Sequence, residues 1–256
     1  MVAPEDRIVF GLVCVLVASL LVATAMAGAF LFMRDRGGHF RPAVRFWWNL
    51  VELYCRWWQR LRREGPCTIP PQGPVILVAN HTCGVDPLLL VASIPHRVPA
   101  FLIGEEFYDI PLARHVVRMI ECIPVKRDGQ DAAGVKAALR HLKQGKLLGI
   151  FIEGRIPEPD EVLPAKDGAA MLALRSGALV VPAHISGTGW HRTLTGSFLR
   201  RHHAVVRFGQ PVNLRELAGR KADKEMLGGI SALLLQRIRD LAGVTIDEHH
   251  IGQGGS

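Results

Sequence analysis

Val75-Ile76-Leu77-Val78-Ala79 is a continuous, uncharged and largely β-branched run with Gly73-Pro74 in front of it. A segment of that length and composition reads as a strand buried inside a sheet. Shorter or longer runs of the same kind fall at Pro99–Ile103, Glu121–Val125, Lys146–Ile152, Ala178–Ile185 and His203–Phe208. Between them the pattern turns helical: from about Pro87 to Ser93, from Asp131 to Gln144 ahead of Gly145, from Gly168 to Ser176, and from Asp223 to Leu241. The last of these sets Met226, Ile230, Leu233, Leu234 and Ile238 on one face. Strands alternating with helices predict an α/β domain with a mixed, largely parallel central sheet flanked by helices. A chain of 256 residues has room for one such domain with a sizeable core, plus something small.

The small element is expected at the N-terminus. Ile8 to Met33 is a run of 26 residues without a charge. At about 1.5 Å per residue a helix of that length crosses a hydrocarbon core of roughly 30 Å. Ala25-Met26-Ala27 resembles a signal-peptide cleavage site, but the leader contains Glu5, Asp6 and one Arg, and the run is long for a signal peptide. Arg34, Arg36, Arg41 and Arg45 follow it, opposed only by Asp35, so the positive-inside rule puts the C-terminal body in the cytoplasm. Residues 42–63 then read as an amphipathic helix. Trp47, Leu50, Val51, Tyr54, Trp57, Trp58 and Leu61 recur at helical spacing, and arginines fill the other side. Four of the five tryptophans lie here among arginines, a composition suited to a headgroup boundary or to a face packed on the core. The expected organisation is a membrane anchor over 1–36, an interfacial helix over 37–66, an α/β domain over 67–247 and a flexible tail over 248–256.

The apolar strand 75–79 leads directly into Asn80-His81-Thr82-Cys83-Gly84-Val85-Asp86. Strand ends are where an α/β sheet presents reactive groups to a crevice. If the chain turns there, Asp86 can fix the tautomer of His81, and the other ring nitrogen can take a proton from a hydroxyl. No serine follows in a nucleophile-elbow pattern, so the pair reads as a dyad that activates the substrate's own hydroxyl. Asp86 before Pro87 is also a good N-cap for the following helix. Cys83 as a nucleophile beside His81 has awkward spacing. Glu153-Gly154 ends the strand before it and would face the same crevice if the two strands run parallel.

Five cysteines without CxxC spacing suggest neither a disulfide framework nor a metal site. The net charge of +8 fits a basic face held against anionic lipid, and no nucleic-acid-binding motif accompanies it.

Four blocks in order resemble the glycerolipid acyltransferases, the family of 1-acylglycerol-3-phosphate acyltransferases. Asn80-His81 through Asp86 resembles that family's His-x4-Asp block. Ile123-Pro124-Val125-Lys126-Arg127 resembles the second, Phe151-Ile152-Glu153-Gly154-Arg155 the third, and Val180-Val181-Pro182-Ala183-His184-Ile185 the fourth. Leu163 to Ala170 fits the Lys-x-Gly-Ala stretch after the third block. The match covers roughly residues 67–212, and order plus spacing makes it specific. In the third block Ile152 replaces the usual proline and Arg155 directly follows Gly154, which shifts the arginine by one. The resemblance implies acyl transfer from acyl-CoA or acyl carrier protein to the hydroxyl of 1-acylglycerol 3-phosphate, giving phosphatidic acid. His81 would be the general base oriented by Asp86, and Arg127, Lys126, Glu153, Gly154 and Arg155 would serve the acceptor and its phosphate. It implies no bound cofactor, with a lysophospholipid acceptor and membrane lipid as partners, and no metal is expected. With the uncharged run at 8–33 and the arginines after it, the expected protein is single-pass with its catalytic domain on the cytoplasmic side. Another lysolipid or an amino-acid lipid as acceptor, a membrane-tethered thioester hydrolase, and a non-catalytic anchored binding module remain as rival expectations.

Overall fold

The computed structural model describes residues 19, 42–109, 111–126, 131–191, 193–217 and 222–243. Apart from residue 19, the expected membrane run lies outside them, as do the expected tail over 248–256 and Arg127. Among the described residues no helix is long and apolar enough to cross a membrane. The unit Val51–Ser256 carries a seven-stranded sheet. Its strands are β1 (Arg62–Glu64), β2 (Val75–Ala79), β3 (Ala100–Gly104), β4 (Ile123–Val125), β5 (Leu147–Phe151), β6 (Leu179–Ser186) and β7 (Val205–Phe208), in the spatial order β1-β7-β6-β2-β5-β3-β4. β2 lies in parallel register with β5 on one side and β6 on the other, and β3 and β4 continue the parallel set. Among the described strands, β6 and β7 pair antiparallel, and β1 is parallel to β7. The sheet is therefore mixed and mostly parallel, as the alternation of strands and helices predicts.

Every residue of β2 is buried, because helices cover both faces of a central parallel strand. Ile76 and Val78 enter a core cluster with Leu148 and Ile150 of β5, Ala138 and Leu142 of α4 (Ala132–Lys143), Ala170 and Leu172 of α5 (Gly168–Ser176), and Leu234 and Ile238 of α7 (Lys224–Asp240). Val75, Leu77 and Ala79 alternate to the opposite face. Leu233, expected on the packed face of α7, is exposed; the buried row is Ile230, Leu234 and Ile238, spaced by four.

The helix expected over 42–63 is shorter. It runs as α1 (Pro42–Trp57) and stops where Arg60 takes a left-handed backbone, φ 50°, and the Leu61 amide donates back to the Cys55 carbonyl at 2.9 Å. That bond, reaching six residues back across a left-handed residue, closes a helix-terminating turn, here without glycine. Residues 62–64, expected as helix, are instead the edge strand β1. Three further helices are α2 (Asp86–Ser93), α3 (Pro111–Met119) and α6 (Leu194–Leu199).

Candidate active site

β2 and β5 end side by side, with Ala79 in register with Phe151. The ladder extends one residue further, since the Ile152 amide donates to the Ala79 carbonyl at 2.9 Å. The two segments leaving these ends, 80–86 and 152–155, are thus brought together by strand register. Asn80 locks the first to the other neighbour of β2. Its side-chain amide donates to the Ile185 carbonyl at 2.9 Å and its side-chain oxygen accepts from the Ile185 amide at 2.8 Å, continuing the β2–β6 pairing through a side chain.

The loop then folds around one carboxylate oxygen. Asp86 is fully buried, and its Oδ2 accepts from the Thr82 amide at 2.6 Å, the Cys83 amide at 2.8 Å and His81 Nδ1 at 2.9 Å. The Thr82 hydroxyl approaches the same carboxylate at 3.3 Å. An ionised carboxylate only accepts, so Nδ1 carries the imidazole proton and Nε2 keeps its lone pair. The capping role expected for Asp86 is not what the structure contains. Val85 is the N-cap residue of α2 and makes no side-chain cap, while Asp86 is the first helical residue and turns its carboxylate back onto the preceding loop. The backbone reversal at Cys83–Asp86, closed by the Asp86 amide on the Cys83 carbonyl at 3.1 Å, makes this geometry possible.

Two groups from the end of β5 hold His81. The Phe151 ring stacks on the imidazole with centroids 3.9 Å apart and planes 13° from parallel. Phe101 of β3 stacks behind Phe151 at 5.8 Å. This row of rings depends on Gly149, where a Cβ would collide with the Phe101 ring. The Glu153 carboxylate accepts from the His81 backbone amide at 2.6 Å. Burial pushes the Glu153 carboxyl above the ordinary carboxylate range, and the His81 amide partly offsets this. Glu153 is therefore a support of the His81 loop, which the sequence pattern does not distinguish from a contact to the acceptor.

The remaining residues singled out from the sequence are more dispersed. Gly154 has φ 75°, and a Cβ there would collide with the Lys166 side chain, whose Nζ would lie 2.9 Å away. The glycine thus lets Lys166 lie across the end of β5. Arg155 is exposed and forms a two-pronged ion pair with Glu161 in its own loop, Nη1 to Oε2 at 2.8 Å. Lys126 is exposed at the end of β4, its amide donating to Asp131 at 2.9 Å. β4 is three positions from β2 in the sheet, about 14 Å at ~4.8 Å per strand spacing. Cys83 is buried, and burial pushes its thiol up, away from the thiolate a nucleophile needs. Phe151, Thr82 and Lys166 are site residues that sequence reasoning missed. The first two stand inside the matched blocks, and the third inside the stretch after the third block.

A family model described as Acyltransferase matches residues 60–186, the span from β1 to the end of β6. Residues 60–186 are an acyltransferase-family domain. This acyltransferase is 25% identical over 174 residues to the 1-acyl-sn-glycerol-3-phosphate acyltransferase of Bacillus subtilis (strain 168), covering 68% of this chain and 83% of the relative. It is 29% identical over 127 residues to a probable 1-acyl-sn-glycerol-3-phosphate acyltransferase of Mycoplasma pneumoniae, covering 47% of each. Its fold is similar to the crystal structure of the 1-acyl-sn-glycerophosphate acyltransferase PlsC from Thermotoga maritima, with TM-score 0.61, 22% identity and coverage of 88% of this chain and 90% of that one. Relatives and family model together make this an enzyme of lipid metabolism that transfers acyl groups.

Proposed function

We propose that this acyltransferase moves a fatty acyl group from a thioester carrier, acyl-CoA or acyl carrier protein, onto the free hydroxyl of 1-acylglycerol 3-phosphate, giving phosphatidic acid. The reading rests above all on the His81–Asp86 contact, 2.9 Å between Nδ1 and Oδ2. It leaves one imidazole nitrogen as a base at the end of the central strand. His81 Nε2 takes the hydroxyl proton as the oxygen attacks the thioester carbonyl. The tetrahedral intermediate collapses by breaking the carbon–sulfur bond, and the departing thiolate receives that proton from the imidazolium. No enzyme nucleophile is acylated. The amides of His81, Thr82 and Cys83 are committed to Glu153 and Asp86, so the oxyanion is met by donors from elsewhere around the crevice. Lys126, Arg127 and Arg155 are proposed as receivers of the acceptor phosphate, for which guanidinium forks are suited.

The site is proposed to work against a membrane surface. Leu53 and Trp57 of α1 and Leu199 of α6 are exposed, Trp57 by 76%. These two elements are joined where Tyr54 donates to the Phe198 carbonyl at 2.7 Å and Trp58 to the Leu199 carbonyl at 3.2 Å. Arg56 lies on α1, paired with Glu52 at 2.8 Å, while Arg200 and Arg201 follow Leu199 in the chain and Arg201 sits over the Trp58 ring. Exposed apolar side chains with arginines next to them along the chain match the chemistry of an anionic bilayer surface. An anchor over 1–36 and a cytoplasmic catalytic domain complete the proposal. The test is a panel of lysolipids with labelled acyl-CoA or acyl carrier protein and membranes containing the protein. Labelled phosphatidic acid that disappears with His81→Ala is expected. Thioester loss without lipid product identifies a hydrolase, and product only from a phosphate-free acceptor overturns the acceptor assignment.

A further inference from the structure

A second cluster lies behind the catalytic loop. Cys83, in the loop between His81 and Asp86, stands with His191 and His202 so that one ligand atom from each lies within 4.8 Å of the others. Local sequence spacing does not reveal this set, because the two histidines come from the segment joining β6 to β7 and flank α6. Cys83 and His202 are buried and His191 is partly so. The Nε2 atoms of the two histidines face each other at 2.8 Å.

The protonation of His202 follows from its neighbour. Gln59 is fully buried, and its side-chain nitrogen donates to the carbonyls of Phe198 at 3.4 Å and Arg200 at 3.2 Å. Carbonyls only accept, so the Gln59 amide orientation is determined and its Oε1 faces His202 Nδ1 at 2.6 Å. Nδ1 is therefore the protonated nitrogen, and Nε2 presents a lone pair to His191. An imidazole that donates one nitrogen to a carbonyl and directs the other at a second histidine, with a thiol in the same cluster, has the arrangement of a metal ligand with its outer support. Tetrahedral zinc separates sulfur and nitrogen ligands by about 3.6 Å, reachable here by small side-chain adjustments.

We propose that Cys83, His191 and His202 form a zinc site that staples the loop carrying His81 and Asp86 to the segment between β6 and β7. A thiolate with two imidazoles selects a borderline ion such as Zn2+ over Mg2+ or Ca2+. Binding releases the Cys83 proton to solvent, and a water completes the fourth position. The ion is structural, and no step of acyl transfer runs through it.

The test uses the full chain in lipid nanodiscs, stripped of metal and then titrated with Zn2+ or with Co2+ as a spectroscopic probe. One zinc per chain is expected, with tetrahedral cobalt d–d bands and a thiolate-to-cobalt charge-transfer band. Cys83→Ser should abolish the charge-transfer band, which separates this thiol from the other cysteines. His191→Ala, at a partly exposed position, should weaken zinc binding roughly a hundredfold while the protein stays folded. Zinc at a hundredfold excess over its dissociation constant should raise the wild-type Tm by about 5 °C or more, and this shift should vanish in His191→Ala at the same zinc concentration. Folded wild-type protein that takes up no zinc, or a charge-transfer band that survives Cys83→Ser, overturns the proposal. Neither readout depends on acyl-transfer activity.

Discussion

Asp86→Asn separates the charge of the carboxylate from its geometry. Three N–H groups converge on one oxygen of Asp86, two of them backbone amides at 2.6 and 2.8 Å. An asparagine can satisfy those amides only by placing its oxygen where Oδ2 now stands, so the His81 Nδ1 proton keeps its acceptor and the tautomer is preserved. What disappears is the negative charge beside an imidazole that becomes cationic in the transition state. With charge centres about 4 Å apart, that interaction is worth roughly 4 kcal/mol at the effective dielectric appropriate to protein sites. A loss of that size from transition-state stabilisation lowers kcat about a thousandfold. The KM of the acceptor should hold, because Asp86 is buried and its side-chain hydrogen bonds go to residues 81–83. Initial rates of labelled acyl transfer in membranes, with a thermal melt to verify folding, measure both quantities. A folded Asp86→Asn enzyme retaining more than a tenth of wild-type kcat, or one changed in KM alone, refutes the assignment of Asp86 as the positioning residue for His81.

Phe151→Leu removes a stacked ring worth about 0.5–1.5 kcal/mol, so kcat should fall about 3- to 10-fold with little change in KM; an unchanged kcat rejects the stack as a restraint on His81. Gly149→Ala would drive a Cβ into Phe101, and overpacking of roughly 1–3 kcal/mol should lower Tm by about 3–10 °C in a melt of the purified protein. Glu153 gives a pH signature. Its carboxyl is raised above 4.5 by burial, so the proton-linked stability is fully present below about pH 4.5 and is lost as pH rises through the folded value. Glu153→Gln keeps an acceptor for the His81 amide without that loss, so its Tm relative to wild type should climb across that interval. A difference in Tm that stays constant with pH contradicts the buried-charge account.

The parts of the fold that the sequence makes legible are those set by local periodicity and burial. β2 is uncharged because both its faces are covered, and α4 ends at the point marked by Gly145. β1 is invisible by the same logic. Its three residues are Arg62, Arg63 and Glu64, and an edge strand that pairs through its backbone with β7 needs no apolar side chain. α3 and α6 are short, and one begins with proline while the other contains glycine. At the site, the five-residue spacing of His81 and Asp86 suffices to suggest their contact. It cannot indicate that Asp86 also gathers the amides of residues 82 and 83, which depends on the backbone reversal before α2. The support from Phe151 and Glu153 is set by β2–β5 register, and register between strands 72 residues apart, as for the His81–Glu153 bond, is a tertiary property.

The ion pair between Arg155 and Glu161 turns the altered third block into a question that can be decided. Arg155 is exposed and Glu161 partly so, and their pairing competes with water at modest cost. An acceptor phosphate carries more charge than a carboxylate and offers the same two-oxygen geometry to the guanidinium. If Arg155 receives the phosphate, substrate binding must displace Glu161, and Glu161→Ala should lower the KM for a phosphate-bearing acceptor by a few-fold without altering kcat. If Arg155 serves only to fold the 155–161 loop, the same change leaves KM unaltered or raises it as the loop loosens. Arg155→Ala alone cannot tell these apart, since it removes the loop contact and any substrate contact together. The Glu161→Ala measurement can, because a lowered KM is expected of the first role and not of the second.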